Sequence, residues 1–338
     1  IQVTHIFCKF LSNKVSKGDG GGLCTMHSNV IAIVQTMVSK NQAQNGAGIK
    51  VCDGRVVNIN STHFSDNQVT LQGGAFFYMG SQSDKFSTVV ENHGKIYSSN
   101  MKEQTGIILF DNIYINNRCT IYVVLTTPLN ISINETKFYN CYCKDASGGA
   151  DIAFLHGQSI KSTYPNLNFH HNKVQVSSVI ASSTFKKCHS DSKGGGLTIT
   201  KTGMINVNIT TFFINCSFYN NTSLKKVGAV LLMDIDHASI YSSDFGGNKG
   251  IEGGALGLVQ LISIIQYKNN FLWNHAKKDG GAMFIQVADL VIITNNSMMQ
   301  NFAAHRGGAL SMNLIKTTKI FSTTIFLNKA TSYGGGAR

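Results

Sequence analysis

One phrase recurs along the chain: an apolar residue, an asparagine three positions later, and a glycine about six positions beyond that. It reads FLWNHAKKDGGAMF from Phe271 to Phe284 and returns as MMQNFAAHRGGALS from Met298. Anchored on the asparagine slot, it can be placed at Asn13, Asn41, Asn67, Asn100, Cys141, Cys188, Asn221, Asn248, Asn274, Asn301 and Asn328. Phe10, Val38, Phe64, Tyr97, Phe138, Phe185, Phe218, Phe245, Phe271, Met298 and Ile325 stand three positions ahead, and all are apolar. Six of the ten spacings are 26–28 residues, and the longer ones are confined to the middle of the chain. A fixed period of this size is the mark of a solenoid, in which one unit buries its apolar face only by stacking on the next.

Each regular interval holds three short strand-like runs, for example AMFIQV, LVIITN and SMMQNF. Alternation after the glycines sends Leu256 and Leu258, Met283 and Ile285, and Leu310 and Met312 to one side, taken as the inside. Stacking then explains the phrase. The apolar residue forms a column through the core, the asparagine bonds at a bend and along a ladder, and the glycines fit a corner with no room for Cβ. The expected fold is all-β: a right-handed parallel β-helix of about eleven coils, a single segment over residues 1–338 that is roughly 50 Å long. The long intervals place insertions near 112–128 and 158–174; in the second, Tyr164, Phe169, His170 and His171 suit a sugar or protein partner, or simply cover the flank.

The paired motif, Phe-x-x-Asn followed by Gly-Gly-Ala and an aliphatic residue, resembles the repeat of the chlamydial polymorphic outer membrane proteins, also met in surface proteins of protists such as trichomonads and ciliates. The resemblance covers nearly the whole chain. It implies a pectin-lyase-like β-helix serving as a secreted or cell-surface stalk, often in adhesion, and its motif carries no catalytic residue. Cys141 and Cys188 in the asparagine slot, and single or displaced glycines at Gly106 and Gly228, depart from the pattern.

Composition agrees with a chain that turns often: 33 glycines, two prolines and only 14% charged residues. No apolar run is long enough for a membrane-spanning helix. The net charge of +12 comes from lysines scattered singly or in pairs, which gives no specific nucleic-acid site and at most a general attraction to anionic glycans or lipids. The chain opens on IQVTHIF and stops at SYGGGAR inside a repeat, so it reads as part of a longer secreted chain. Its end coils are expected to pack on flanking domains or on other copies.

Eight cysteines are present, and Cys141 and Cys188, in the same slot of consecutive coils, form the best disulfide candidate; two buried thiols are the alternative. Cys141-x-Cys143 with His189 matches no standard zinc pattern. N-glycosylation acceptors begin at Asn60, Asn130, Asn134, Asn208, Asn215, Asn220, Asn221 and Asn295, only slightly more than chance provides. Enzymes on this fold gather carboxylates on one face, and here Asp and Glu together number 17. The best cluster, in MDIDHAS, is Asp234 and Asp236 beside His237. No phosphate loop, nucleophile elbow or zinc motif is present, and no cofactor is expected. The leading expectation is a noncatalytic extracellular or cell-surface structural or adhesion protein, including as part of a filament or surface appendage. The alternatives are a polysaccharide lyase or glycoside hydrolase and a bacterial autotransporter passenger.

Overall fold

The computed structural model describes residues 2–26, 28, 30–52, 56–79, 106–117, 120–125, 130–144, 147–155, 174–202 and 207–337, and its regular elements are all β-strands. They stack in parallel into an 18-stranded sheet, an 11-stranded sheet, and an outer ridge made of a 2-stranded and a 7-stranded sheet. One coil shows the plan. Leu256–Tyr267 runs through the large sheet, Asn270–Leu272 enters the 11-stranded sheet, and His275–Ala276 joins the ridge. The next coil repeats this in register, Leu256 pairing with Met283, Phe271 with Met298 and His275 with Phe302. The 11-stranded sheet supplies one strand for each of the coils expected from the repeat.

Because every coil presents the same residue type at the same place, the core is built from columns. Phe64, Tyr114, Phe138, Phe185, Phe218, Phe245 and Phe271 stack in succession, with ring centroids 4.8, 4.8, 4.4, 4.9, 5.0 and 4.8 Å apart and planes within 14° of parallel. That spacing is the strand separation itself, so the sheet sets the stack and the stack reinforces the register. Leu256, Leu258, Met283, Ile285 and Leu310 point inward and are buried, as their alternation predicts.

The recurring asparagine forms a buried ladder. Asn248 donates its backbone N–H and its Nδ2 to Asn274 Oδ1 at 3.0 and 2.9 Å, and Nδ2 also donates to the Phe218 carbonyl at 2.9 Å. Its own Oδ1 receives the same pair of bonds from Asn221. A left-handed backbone angle falls on the residue before the anchor, for example Asn220 (φ 54°), Trp273 (φ 56°) and Gln300 (φ 53°). Both reasons for the glycine pair operate at Gly280 and Gly281. Gly280 has φ +69°, and a Cβ on Gly281 would stand 1.9 Å from the Gly308 carbonyl oxygen. A second ladder, not visible in the repeat, runs along the other end of the 11-stranded sheet. Thr62 N–H donates to Asn112 Oδ1, Cys216 N–H to Ser243 Oγ, Ser243 N–H to Asn269 Oδ1 and Asn269 N–H to Asn296 Oδ1.

The structure corrects the register in the middle of the chain. Ile113–Ile115 pairs with both His63–Ser65 and Lys137–Tyr139, so Tyr114 and Asn117 occupy the slots assigned to Tyr97 and Asn100. Gly106–Phe110 pairs with Val56–Asn60, which makes it the second strand of its coil rather than a strand following the glycine corner. Within the stretch expected as an insertion near 112–128, Ile113–Ile115 and Ile121–Leu125 are strands paired with neighbouring coils, while 118–119 and 126–129 lie outside the described residues. Residues 80–105, with Tyr97 and Asn100, lie outside the described residues. The insertion expected near 158–174 falls between Ala150–Leu155 and Val174–Ala181, which pair with Leu197–Thr202 and Val207–Ile214. Tyr164, Phe169, His170 and His171 also lie outside the described residues.

Tyr114 replaces phenylalanine in the column and leaves its hydroxyl buried without a hydrogen-bond partner. Tyr114→Phe is expected to raise stability by about 1 kcal/mol, whereas Phe218→Ala is expected to lower it by about 3 to 5 kcal/mol. Urea denaturation followed by far-UV circular dichroism measures both.

Candidate functional site

Asp234, Asp236 and His237 share one turn of the chain, but their side chains are committed differently. Asp236 is 8% exposed; its Oδ2 accepts from Lys201 Nζ at 2.9 Å and from the Ile209 backbone N–H at 2.8 Å. These bonds tie neighbouring coils together. Asp234 holds a left-handed turn (φ 59°), where burial pushes its carboxyl up against the opposing pull of Lys201. His237 Nδ1 lies 2.7 Å from Ser263 Oγ on the next coil. Asp289, the other acid near this register, pairs with Lys316 at 2.8 Å. The turn thus offers one partly exposed carboxyl beside a second that is occupied by structure.

Cys141 and Cys188 are neighbours in the asparagine column, as their slots predict, but both are free and buried. The expected bridge is not formed. Cys141 Sγ donates to the Tyr114 and Tyr139 carbonyls and Cys188 Sγ to the Phe138 and Lys186 carbonyls, and Cys188 continues the ladder by donating its N–H to Asn221 Oδ1 at 3.0 Å. Burial, with Cys141 alongside, holds the Cys188 thiol well above the ordinary range. Cys216, in the second ladder, is pushed up to about 11 by burial. Cys143 is disulfide-bonded, whereas Cys8, Cys24, Cys52, Cys141, Cys188 and Cys216 are free.

The acceptor asparagines divide by position. Asn215, Asn220 and Asn295 are exposed at left-handed corners, and Asn60 and Asn134 are half-buried at strand ends. Asn208 is half-buried within a strand, and Asn130 begins the strand Asn130–Asn134. Asn221 is fully buried and its amide is saturated by the ladder, which removes it from the acceptors.

One irregularity opens the surface. In a regular coil seven residues separate the anchor from the residue before the next long strand, as between Asn274 and Ala282; between Asn117 and Thr120 there are two. Those two, residues 118–119, lie outside the described residues. One ridge sheet ends at Gln68–Gln72 and the other begins at Tyr142–Cys143, two coils further along. A cleft of about 460 Å³ lies at this break, lined by Gln68, Asn116, Asn117, Asn140 and Tyr142. The Tyr142 ring stacks on His189 at 5.4 Å, and its hydroxyl donates to Asp191 at 2.9 Å. That hydrogen bond, with His189 and Lys144 adding to it, holds the Asp191 carboxyl below the usual range. The repeat pattern does not mark these residues, because it places a glycine after each anchor and none follows Asn117.

Comparison with models of protein families, with curated proteins and with solved structures finds no match to this chain. The class rests on the coordinates: a parallel β-helix solenoid. No helix among the described residues is long and apolar enough to cross a membrane.

Buried thiols react slowly. In the native protein, iodoacetamide is expected to label exposed Cys24 while sparing Cys141, Cys188 and Cys216, which should become labelled on denaturation; intact-mass analysis distinguishes the two patterns. The folded-state pKa of Cys216 is raised, so its contribution to stability is complete below pH 9.0 and is lost as pH climbs through about 11. This contribution amounts to about 2 to 3 kcal/mol. Cys216→Ala should flatten the fall in unfolding free energy across that window, measured against wild type.

Proposed function

We propose that this chain is a noncatalytic extracellular or cell-surface rod, a structural or adhesive β-helix. The observation that carries the reading is how the polar side chains of the stack are used. Asn221, Asn248, Asn274 and Asn301 are spent on coil-to-coil bonds, and Asp236, the most central acid of the best carboxylate cluster, is spent in the same way. Both structural donors of Asp236 fall on Oδ2, which leaves only the Oδ1 of that carboxylate to accept from anything else. The resemblance of the paired repeat to that of surface stalk proteins points in the same direction. The disulfide at Cys143 favours an oxidising compartment. Stacking with flanking domains or with other copies fits the same architecture, because a solenoid end presents strand edges.

The polysaccharide-processing reading draws on one specific observation, the raised Asp234 carboxyl in a partly exposed turn. A single raised carboxyl provides an acid but not its partner base or nucleophile. Release of reducing ends and of unsaturated uronates from pectate, alginate, chitosan and hyaluronan separates the two readings. The rod reading predicts no release above buffer by the wild-type protein. Turnover that disappears in Asp234→Asn/Asp236→Asn would replace it with the enzymatic reading.

A further inference from the structure

Lysines that are scattered along the sequence are gathered by the register. Residues 207–337 are described without interruption, and from Asn221 onward each coil adds to the ridge one short strand and the turn after it: 222–229, 249–255, 275–282, 302–309 and 329–337. These five segments hold seven lysines and arginines against two acids, whereas the remainder of 207–337 holds three against four. The positive charge of this part of the rod therefore lies along one edge of it.

Backbone bonds carry that edge from coil to coil. Ile251 N–H donates to the Lys226 carbonyl at 2.6 Å, Lys278 N–H to the Ile251 carbonyl at 2.8 Å and His305 N–H to the Lys278 carbonyl at 2.9 Å, while Lys249 pairs with Thr222 and with His275. At one strand spacing per coil the five segments extend over roughly 20 Å. Lys225, Lys226, Lys249, Lys277 and Lys329 are exposed. Both acids of the ridge already face a partner, Glu252 lying 3.7 Å from Lys278 and Asp279 lying 3.2 Å from His305 Nδ1. Among the described residues no carboxylate pairs with the five exposed ammonium groups. The surplus is felt at His275, whose imidazole is held below its ordinary value by burial and then by Lys249 and Lys277.

Trp273 stands at the corner beside this edge, 62% exposed, and its indole N–H donates to Gln300 Oε1 on the next coil at 2.7 Å. That bond orients the ring before anything binds, and a flat apolar face of this kind suits a pyranose. Asn220, Gly247, Gln300 and Leu327 take the same corner in the other coils, so the aromatic is single rather than part of the continuous apolar face that sinks into a lipid headgroup layer. A row of unpaired cations on a narrow edge instead complements a linear polymer with charges at regular intervals.

We propose that the lysine-bearing ridge within 222–337 is a binding site for a linear anionic polysaccharide, with Lys225, Lys226, Lys249 and Lys277 meeting its carboxylate or sulfate groups and Trp273 one of its sugar rings. This deepens the adhesive reading and rests on it.

The test measures binding of the full chain to immobilised alginate, polygalacturonate, chondroitin sulfate and heparin, with dextran as the uncharged comparison and phosphatidylserine vesicles and single-stranded DNA as polyanions of other classes. Lys225→Glu/Lys249→Glu/Lys277→Glu reverses the edge, and Lys268→Glu/Lys316→Glu/Lys319→Glu makes the same change of net charge at exposed positions away from the ridge. Circular dichroism checks folding, and Lys225→Gln/Lys249→Gln/Lys277→Gln stands in should the first triple be poorly folded. The expected result is retention on at least one acidic polysaccharide and none on dextran, weakened about tenfold or more by the ridge triple and about threefold or less by the other, with Trp273→Ala weakening it while leaving its salt dependence unchanged. No retention on any acidic polysaccharide, equal loss in the two triples, or tighter binding of the vesicles or the DNA through the ridge overturns the site. Shortened polysaccharide recovered after incubation would instead count against the noncatalytic reading, so the two failures are distinguishable.

Discussion

A carboxamide buried away from water must have its hydrogen bonds made, and in this molecule that requirement is met only by the coils above and below. Asn248 is satisfied by Asn221, Asn274 and the Phe218 carbonyl, which belong to the neighbouring coils. Leaving one of those groups unpaired costs about 1 to 3 kcal/mol, so sliding a coil by one residue breaks the ladder as well as the sheet. The aromatic column adds a second condition on the same register, since rings held at the strand spacing stack only when every coil is aligned. Parallel sheets, corners and the rod itself follow from these two alignments.

The regular coils were legible because their constraints fall on single residue types. Phe271, Asn274, Gly280 and Gly281 each occupy a position where one chemistry is strongly preferred, so the period can be read by eye. The second ladder was not legible. Its positions hold Thr62, Asn112, Thr136, Ser183, Cys216, Ser243 and Asn269, because a hydroxyl, a carboxamide or a thiol can all serve at that corner. The shortened coil was hidden for a different reason. No glycine follows Asn117 at the interval of the repeat, so the pattern points to Tyr97 and Asn100 although Tyr114 and Asn117 take those slots. The Cys141–Cys188 pair was placed correctly as neighbours and given the wrong chemistry. Proximity permits a bridge without requiring one, and two thiols that donate to backbone carbonyls already satisfy the buried slot.

Function follows the same division. Residues that repeat are committed to the stack, so chemistry directed at a partner has to come from positions where repetition fails. The Asp234 turn does not qualify well, since Asp236 is drawn into holding Lys201 and the chain at Ile209. Gln68 and Asn140, exposed beside the break between the described ridge strands, are carboxamides that the ladder does not use.

The central claim is the alignment of Asn67 with Asn117 as consecutive rungs, and paired cysteine substitutions test it most directly. Adjacent rungs bring Cα atoms within the span of a disulfide. Mild oxidation of Asn67→Cys/Asn117→Cys, followed by non-reducing peptide mapping, is predicted to yield the cross-linked peptide as readily as the reference pair Asn248→Cys/Asn274→Cys. A cross-link in the reference pair without one between positions 67 and 117 would contradict the register of the shortened coil, and its absence from both would contradict the solenoid.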